Sequence, residues 1–289
     1  MESARFPVHL EPAILSRYLN VLGVQERTPS LPGLKELVFA HLTRVPFENI
    51  SKLLYKRRLG LDDLPSISMY LDGIECSHFG GTCYSNNFHF YCLLRTLGYD
   101  VHLCAAGMAT PDVHAVSIVA LDGREFLVDT GYAAPFFEPL PRDLHSDYIV
   151  TLGRDRYILK PADEQGRSRL ELHRAGVLKH GYLVKPAPRR IEDFSRVIED
   201  SFRADATFLN SILLARFYPG RSVVIHNLSL IESCGESCEI QTLPDLKAVQ
   251  IVIHKHFEIP QDLIAEGLAG LGGMQDAWGD PFLCGRAAC

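Results

Sequence analysis

The hydrophobic pattern divides the chain into a helical first third and a strand-rich remainder. Between residues 8 and 25, apolar side chains recur at helical spacing and form one face, with Pro12 in the first turn and Gly23 as a plausible stop. A second helix is predicted at 34–44, after Pro32-Gly33. It ends before Pro46, because the residue that precedes a proline avoids the helical region. Two further helices are predicted, at residues 61–76 and 88–97.

Beyond residue 100 the pattern changes to short apolar runs separated by turn residues. Asp122-Gly123 lies between two such runs and predicts a hairpin. Six strands are predicted, at residues 101–106, 113–120, 125–129, 148–152, 156–160 and 168–174. Their spacing suits an antiparallel barrel or meander. The C-terminal part is mixed, with helices predicted at 191–202, 246–256 and 260–271 and strands at 222–229 and 239–242.

Composition excludes several classes of protein. A net charge of −6 argues against a mainly electrostatic grip on nucleic acid or an anionic membrane. The 47% hydrophobic and 22% charged content is typical of a soluble globular protein. The N-terminus has no secretory signal, and no apolar run approaches the roughly 20 residues of a spanning helix. We therefore expect a cytoplasmic protein whose eight cysteines are mostly free thiols.

The stretch Gly80-Gly81-Thr82-Cys83 carries the clearest chemical signal. The glycine pair predicts a tight turn that side chains would forbid, and a helix follows. Cys83 is therefore expected where a turn enters a helix N-terminus. Unpaired backbone N–H groups and the helix dipole favour a thiolate there.

His114 and Asp129 are the candidate partners of this thiol. They lie fifteen positions apart with the predicted hairpin between them, so that paired strands would place both on one face. A nucleophile, a base and a residue that orients the base form the arrangement of covalent catalysis. Taken singly, a buried apolar cysteine, a strand-edge histidine and a turn aspartate are the commoner interpretations. The combination favours catalysis.

A series of short motifs follows the chain, dense over residues 10–140 and thin afterwards. The motifs are Tyr18-Leu19-x-x-Leu22-Gly23-Val24, His41-Leu42, Val45-Pro46-Phe47-Glu48-Asn49-Ile50, Gly80-Gly81-x-Cys83 with Asn87, His114-Ala115-Val116 and Asp129-x-Gly131-Tyr132. Each motif alone is weak, and their combination at this spacing is specific. Through this combination the chain resembles the arylamine N-acetyltransferases.

The resemblance implies an α+β fold in three parts. A helical bundle is expected at residues 1–98, a central antiparallel β-barrel at 99–203 and a C-terminal α/β lid at 204–289. A cysteine-protease-like triad would lie at the first junction, with Cys83 as nucleophile, His114 as base and Asp129 as its orienter. Members of the family run a ping-pong reaction that moves acetyl from acetyl-CoA to an arylamine, arylhydrazine or N-hydroxyarylamine.

The resemblance also suggests contacts for the acetyl-CoA co-substrate. The segment Gly107-Met108-Ala109-Thr110 is similar to the region that helps to hold it in relatives, which makes Gly107 and Thr110 candidates. In the lid, Thr207, Asn210 and Ser211 are further candidates. Ordinary loop residues are the alternative for each of them.

Two aromatic residues are candidates to line the binding site of an aromatic acceptor. Tyr132 lies beside the triad in sequence, and Phe47 belongs to the family motif. Plain core packing is the strong alternative for Phe47.

The chain departs from the family pattern at two positions. Phe79 stands where relatives usually have arginine, and Ser85 stands where glutamate is common. In relatives, the resemblance implies that this arginine is a structural partner of the glutamate that corresponds to Glu48. Glu48 is therefore expected to use neutral hydrogen bonds or another cation, for which Arg44, Arg57 and Arg58 are near in sequence.

Other functions stay open at this point. An amide synthase could use the same three residues with another acyl thioester donor. A hydrolase or transglutaminase-like enzyme, and a non-catalytic member of the family, are further alternatives. Cys234 and Cys238 with His254 and His256 suggest zinc, but their spacing is loose, and we predict no metal.

Overall fold

A computed structural model of the chain describes residues 6–108 and 110–277. Its first region is helical. The helices are α1 (Pro12–Leu22), α2 (Leu31–Arg44), α3 (Ile50–Leu59), α4 (Ile67–Ser77) and α5 (Cys83–Thr96). α1 ends at Gly23, whose φ of 62° is the left-handed conformation typical of such stops. α3 was not predicted, because its buried face includes Ser51 and Lys52, which interrupt the apolar spacing.

A nearly closed antiparallel barrel of eight strands follows. The strands are β2 (Asp100–Gly107), β3 (His114–Leu121), β4 (Arg124–Val128), β5 (Leu140–Pro141), β6 (Tyr148–Leu152), β7 (Asp155–Leu159), β8 (Ser168–Arg174) and β9 (Val177–Arg189). They pair in the order β5-β4-β3-β2-β9-β8-β7-β6. The six predicted strands are confirmed. β9 was missed, because Gly181, Pro186 and Pro188 interrupt its alternation.

The C-terminal region packs helices on a second antiparallel sheet. Its elements are α6 (Ser195–Asp200), β10 (Leu213–Tyr218), β11 (Arg221–His226), β12 (Ser229–Cys234), β13 (Ser237–Thr242), α7 (Leu246–Phe257) and α8 (Gln261–Leu268). The strand predicted at 222–229 is wrong at its end. Asn227, with a φ of 50°, turns the chain after His226, and β12 begins at Ser229.

The edge strand of this second sheet comes from the N-terminal region. β1 (Phe47–Glu48) pairs antiparallel with β10, with Phe47 opposite Ala215. A shared core of α3, α7 and α8 side chains, including Ile50, Ile253 and Ile264, lies beneath it. The domain bounds at 1–98, 99–203 and 204–289 stay a prediction. Among the described residues no helix is long and apolar enough to cross a bilayer.

Candidate active site

Cys83 is the first residue of α5 and is half-buried. The preceding residue, Thr82, is extended, and its side chain makes no hydrogen bond to the helix N-terminus. The sulfur therefore lies at the positive end of the helix dipole, where a thiolate is stabilised.

The reason for the glycine pair differs from the predicted one. Neither Gly80 nor Gly81 has a positive φ, so no left-handed turn requires them. A Cβ on Gly80 would lie 1.9 Å from the carbonyl oxygen of Pro46, and a Cβ on Gly81 would lie 2.7 Å from Cβ of Ser85. Gly80 is needed because its backbone meets that of Pro46 without room for a side chain, and Gly81 because side chains of the first turn of α5 lie against it.

This close approach fastens the nucleophile loop to the second sheet. Glu48 N donates to Gly81 O at 3.1 Å, and Phe47 forms a parallel bridge with Gly81. Because Phe47 and Glu48 also form β1, the loop before Cys83 is held by the edge strand of the C-terminal sheet.

His114 and Asp129 form a fully buried pair on the barrel. His114 begins β3, and Asp129 directly follows β4. The two strands pair through Ser117 and Val128, and His114 Nε2 lies 2.8 Å from Asp129 Oδ2. Neither side chain is exposed to solvent.

Three further groups hold the Asp129 carboxylate. Asn87 Nδ2 donates to Oδ1 at 2.8 Å, the Gly131 N–H donates to Oδ1 at 3.0 Å, and the Tyr182 hydroxyl donates to Oδ2 at 2.8 Å. Burial would raise the pKa of Asp129, but the His114 charge and these hydrogen bonds outweigh it and lower the pKa. The carboxylate is therefore charged and fixed.

The remaining ring nitrogen of His114, Nδ1, is not engaged by the Asp129 carboxylate. Nδ1 has no partner in hydrogen-bond geometry among the described residues. Burial alone would lower the pKa of His114, but Asp129 and the neighbouring Cys83 raise it above its usual value. Gly131 allows the segment after Asp129 to approach Cys83 closely, because a Cβ at Gly131 would lie 2.8 Å from Cα of Cys83.

Sequence reasoning missed two side chains around this centre. Tyr182 lies on β9, the strand whose prolines and glycine concealed it. Asn87 belonged to the family motif, but its contacts with Asp129 and with the carbonyl of Ala115 were not expected. Its spacing of one helical turn after Cys83 was the available signal, because residues four apart share a helix face.

Lys52 is a buried cation behind the nucleophile loop, and it too was missed. It is 8% exposed, its Nζ donates to Ser201 Oγ at 2.7 Å, and it lies 3.6 Å from the ring centroid of Phe202. It shares a small cavity with Gly81 and Thr82. Burial lowers the pKa of Lys52 to about 7, opposed by its attraction to Cys83.

Glu48 uses neutral hydrogen bonds where relatives are expected to use an arginine. Ser51 N donates to Oε2 at 2.9 Å, Gly80 N donates to Oε1 at 3.2 Å, and the Ser51 hydroxyl donates to Oε1. No cation forms a salt bridge with Glu48 in the described part of the chain. Phe79 is 2% exposed and packs edge-on against Tyr55. Burial raises the pKa of Glu48.

A cavity of about 360 Å³ opens from Cys83 and His114 into the space between the barrel and the second sheet. Of the predicted contacts, Phe47, Thr110, Tyr132 and Thr207 line it. Tyr132 is held by a 2.8 Å hydrogen bond to His180 Nδ1. We call this space the main cavity.

The other predicted contacts lie elsewhere. Gly107 lines an outer groove of the barrel. Ser211 is fully buried, and its hydroxyl donates to Thr207 O at 2.7 Å. The Asn210 amide donates to Ala204 O and Ala206 O. Ala109 lies outside the described residues. Across residues 6–108 and 110–277, no three His, Cys, Asp or Glu side chains group as a metal site requires.

A family model described as N-acetyltransferase matches residues 30–264, most of the chain. The chain belongs to this N-acetyltransferase family. The family resemblance of the sequence is thereby confirmed, and the protein is an acyltransferase.

The chain is also similar to individual proteins and solved structures. Proansamycin X synthase of Amycolatopsis mediterranei (strain S699) is 32% identical over 201 residues, which cover 65% of this chain and 73% of that protein. The arylamine N-acetyltransferase of Nocardia farcinica is 28% identical with a TM-score of 0.72, covering 87% and 92% of the two chains. The enzyme of Mycobacterium marinum in complex with CoA has a TM-score of 0.74 at 22% identity, covering 89% and 98%. At 22% identity, the similarity to the Mycobacterium marinum enzyme shows a shared fold.

Proposed function

We propose that the protein transfers an acetyl group from acetyl-CoA to the nitrogen of an arylamine or arylhydrazine, through a thioester on Cys83. The observation that carries the proposal is the position of Cys83 at the start of α5, beside a buried His114 whose far nitrogen is bonded to Asp129 at 2.8 Å.

In the first half-reaction the Cys83 thiolate attacks the acetyl carbonyl carbon. A C–S bond to Cys83 forms, the C–S bond to CoA breaks, and protonated His114 gives its proton to the departing CoA thiolate. The negative charge that develops on the carbonyl oxygen lies near the N-terminus of α5, where the helix dipole stabilises it.

In the second half-reaction the amine attacks the thioester. Neutral His114 removes a proton from the amine nitrogen as the new C–N bond forms, and the thiolate leaves. Asp129 keeps the ring oriented and stabilises its protonated form through both steps. Asn87, Tyr182 and the Gly131 N–H fix Asp129 and are positioning groups.

The main cavity supports access for both substrates. Thr110 and Thr207 line it and are the proposed contacts for the pantetheine of CoA, a ligand that one structural neighbour binds. Gly107 borders the outer groove that shares Met108 and His180 with the cavity. Phe47 and Tyr132 would contact an aromatic acceptor.

A second candidate function is an amide synthase that uses another acyl thioester with the same three residues. The cavity is much larger than an acetyl group requires, and one relative is named Proansamycin X synthase. Acylation by acetyl-, propionyl- and malonyl-CoA, compared at equal concentration, distinguishes the two. A clear acetyl preference favours the acetyltransferase, and poor acylation by all three favours the synthase.

Steady-state kinetics with acetyl-CoA and a simple arylamine test the proposal. We expect parallel lines in double-reciprocal plots, the pattern of a ping-pong reaction. Cys83→Ala should abolish transfer while its melting temperature stays near that of the wild type. Intersecting lines, or activity retained in Cys83→Ala, would refute a Cys83 thioester. Free acetate released without amine would instead indicate a hydrolase.

A further inference from the structure

The main cavity has a polar end away from Cys83, and no family motif accounts for it. Two rings lead to it: the Tyr132 ring lies 5.8 Å from that of His114 and 6.5 Å from that of Tyr157. Asp155, two residues before Tyr157 on β7, pairs with Arg174 on β8 and lines the cavity with it.

Two hairpin tips meet at this end. Gly153 N, in the turn between β6 and β7, donates to Gly235 O in the turn between β12 and β13 at 2.8 Å. Arg154 follows Gly153 in the same turn, and its side chain lines the cavity. The backbone around Arg154 is therefore fixed by contact between the barrel and the second sheet.

The unpaired polar groups at this end are donors. Both oxygens of Asp155 accept from Arg174, at 2.6 and 2.8 Å. The half-buried Arg154 side chain has no salt bridge and no hydrogen bond to any described residue, and the Tyr157 hydroxyl has no described partner either. With two guanidinium groups and one carboxylate, the end carries an excess positive charge.

A carboxylate is the group that best complements such an end. A guanidinium partly removed from water forms short, charge-assisted and often bidentate hydrogen bonds to carboxylates. The tyrosine hydroxyl can add a third donor. Apolar walls between this end and Cys83 suit an aromatic body, as in most ligand sites.

We propose that Arg154 and Tyr157 bind a carboxylate on the amine acceptor, at the end of the molecule opposite its nitrogen. The inference rests on the proposed function and names its substrate class: amines with an elongated aromatic body and a remote carboxylate. The amine lies at Cys83, the rings lie along Tyr132 and Tyr157, and the carboxylate reaches Arg154.

A pair of acceptors tests this directly. 4′-Aminobiphenyl-4-carboxylate and its carboxamide have the same shape and differ in charge. With acetyl-CoA as donor, we expect wild-type kcat/KM to favour the carboxylate by about tenfold or more. Arg154→Gln should remove the preference by raising the KM of the carboxylate, with a much smaller change in the KM of the carboxamide.

Matched variants separate the site from general charge. Arg156 is exposed, lies two residues away and is not part of the cavity wall, so Arg156→Gln should keep the preference. Arg154→Lys should keep part of it, since the charge remains without the planar fork. Tyr157→Phe should reduce it by a smaller factor.

Several results would overturn the inference. Equal kcat/KM for the two acceptors in the wild type, or an unchanged preference in Arg154→Gln, would exclude a carboxylate site. If Arg154→Gln instead slowed CoA release in the absence of any amine, Arg154 would serve the donor. Failure of acetyl-CoA to acylate Cys83 would refute the proposed function alone. In that case, calorimetry with Cys83→Ala would test the inference separately: tighter binding of the carboxylate than of the carboxamide would support it, and equal binding would contradict it.

Discussion

Two buried carboxyl groups near the Cys83 loop differ in the direction in which their pKa values are shifted. Asp129 on the barrel side accepts hydrogen bonds from four groups, one of them the His114 ring, and its pKa is lowered. Glu48 on the other side accepts from Ser51 and Gly80, and its pKa is raised. Both are buried, so burial does not distinguish them. The difference is that Asp129 is paired with the His114 ring, whereas Glu48 forms no salt bridge among the described residues.

The contrast shows how each side serves the thiol. On the barrel side a charged network orients a base, and its energy depends on the paired charges. Behind the loop, neutral hydrogen bonds and close backbone contacts hold the loop in place, and the buried Phe79 packs against Tyr55. The cation on that side, Lys52, lies against Phe202 and does not form a salt bridge with Glu48.

The largest effect is expected when the charge of Asp129 is removed. Asp129→Asn should lower kcat/KM by about 10³- to 10⁴-fold, because an amide neither stabilises protonated His114 nor enforces its orientation. Tyr182→Phe, which removes one neutral donor to the same carboxylate, should cost about tenfold or less. Steady-state kinetics compare them. Similar losses in the two variants would mean that the charge of Asp129 is not decisive.

Gly80→Ala should break the contact on the other side of the loop. Its Cβ would lie 1.9 Å from the Pro46 carbonyl oxygen, so backbone must move, and we expect a loss of about 2 kcal/mol in the free energy of unfolding. Gly107→Ala is the control, since its Cβ would meet nothing nearer than 3.8 Å. Urea denaturation measures both. Equal stability of the two variants would contradict the close approach.

Lys52→Met should slow alkylation of Cys83 by iodoacetamide about threefold at pH 6, because a nearby positive charge favours the thiolate. With a pKa of about 7, Lys52 is charged at pH 6 and neutral at pH 9, so the rates should converge at pH 9. Lys56→Met, whose amino group lies 6.0 Å from the same Phe202 ring, should have less effect. A rate difference that persists at pH 9 would exclude a charge effect.

Glu48→Gln should have the smallest effect on kcat/KM, and its consequence is pH-dependent stability. The pKa of Glu48 is higher in the folded chain than its ordinary value of 4.5. The folded state therefore loses stability relative to the unfolded chain as the pH rises from 4.5 through the pKa of the folded state. The glutamine variant lacks this loss. Its melting temperature relative to the wild type should therefore increase from pH 4.5 to pH 8. A decrease would indicate an ion pair.

Sequence patterns predicted the barrel-side elements well, because their signals are local. Asp122-Gly123 marks the hairpin that aligns His114 with Asp129, and alternation marks the strands on either side. Cys83 at the start of a helix followed from the apolar run after it. These features depend on neighbours within about twenty residues, so the chain displays them directly.

The remaining features depend on contacts between distant segments. The need for Gly80 arises from Pro46, and the hydroxyl that holds Asp129 comes from Tyr182, 53 positions away. From the sequence, Lys52 would be taken for a surface residue. In the fold it is covered by the turn that follows α6, through Ser201 and Phe202. The polar end of the main cavity requires two hairpin tips to meet. No periodicity encodes such long-range pairings.

The central claim, that Cys83 carries the acyl group, is tested most directly by mass spectrometry. The protein is incubated with acetyl-CoA in the absence of amine, quenched in acid and digested. We predict a single acetyl group on the peptide that contains Cys83, and its loss when an arylamine is added before the quench. An unmodified Cys83, or an acetyl group on another thiol such as Cys238 in the same cavity, would contradict the account.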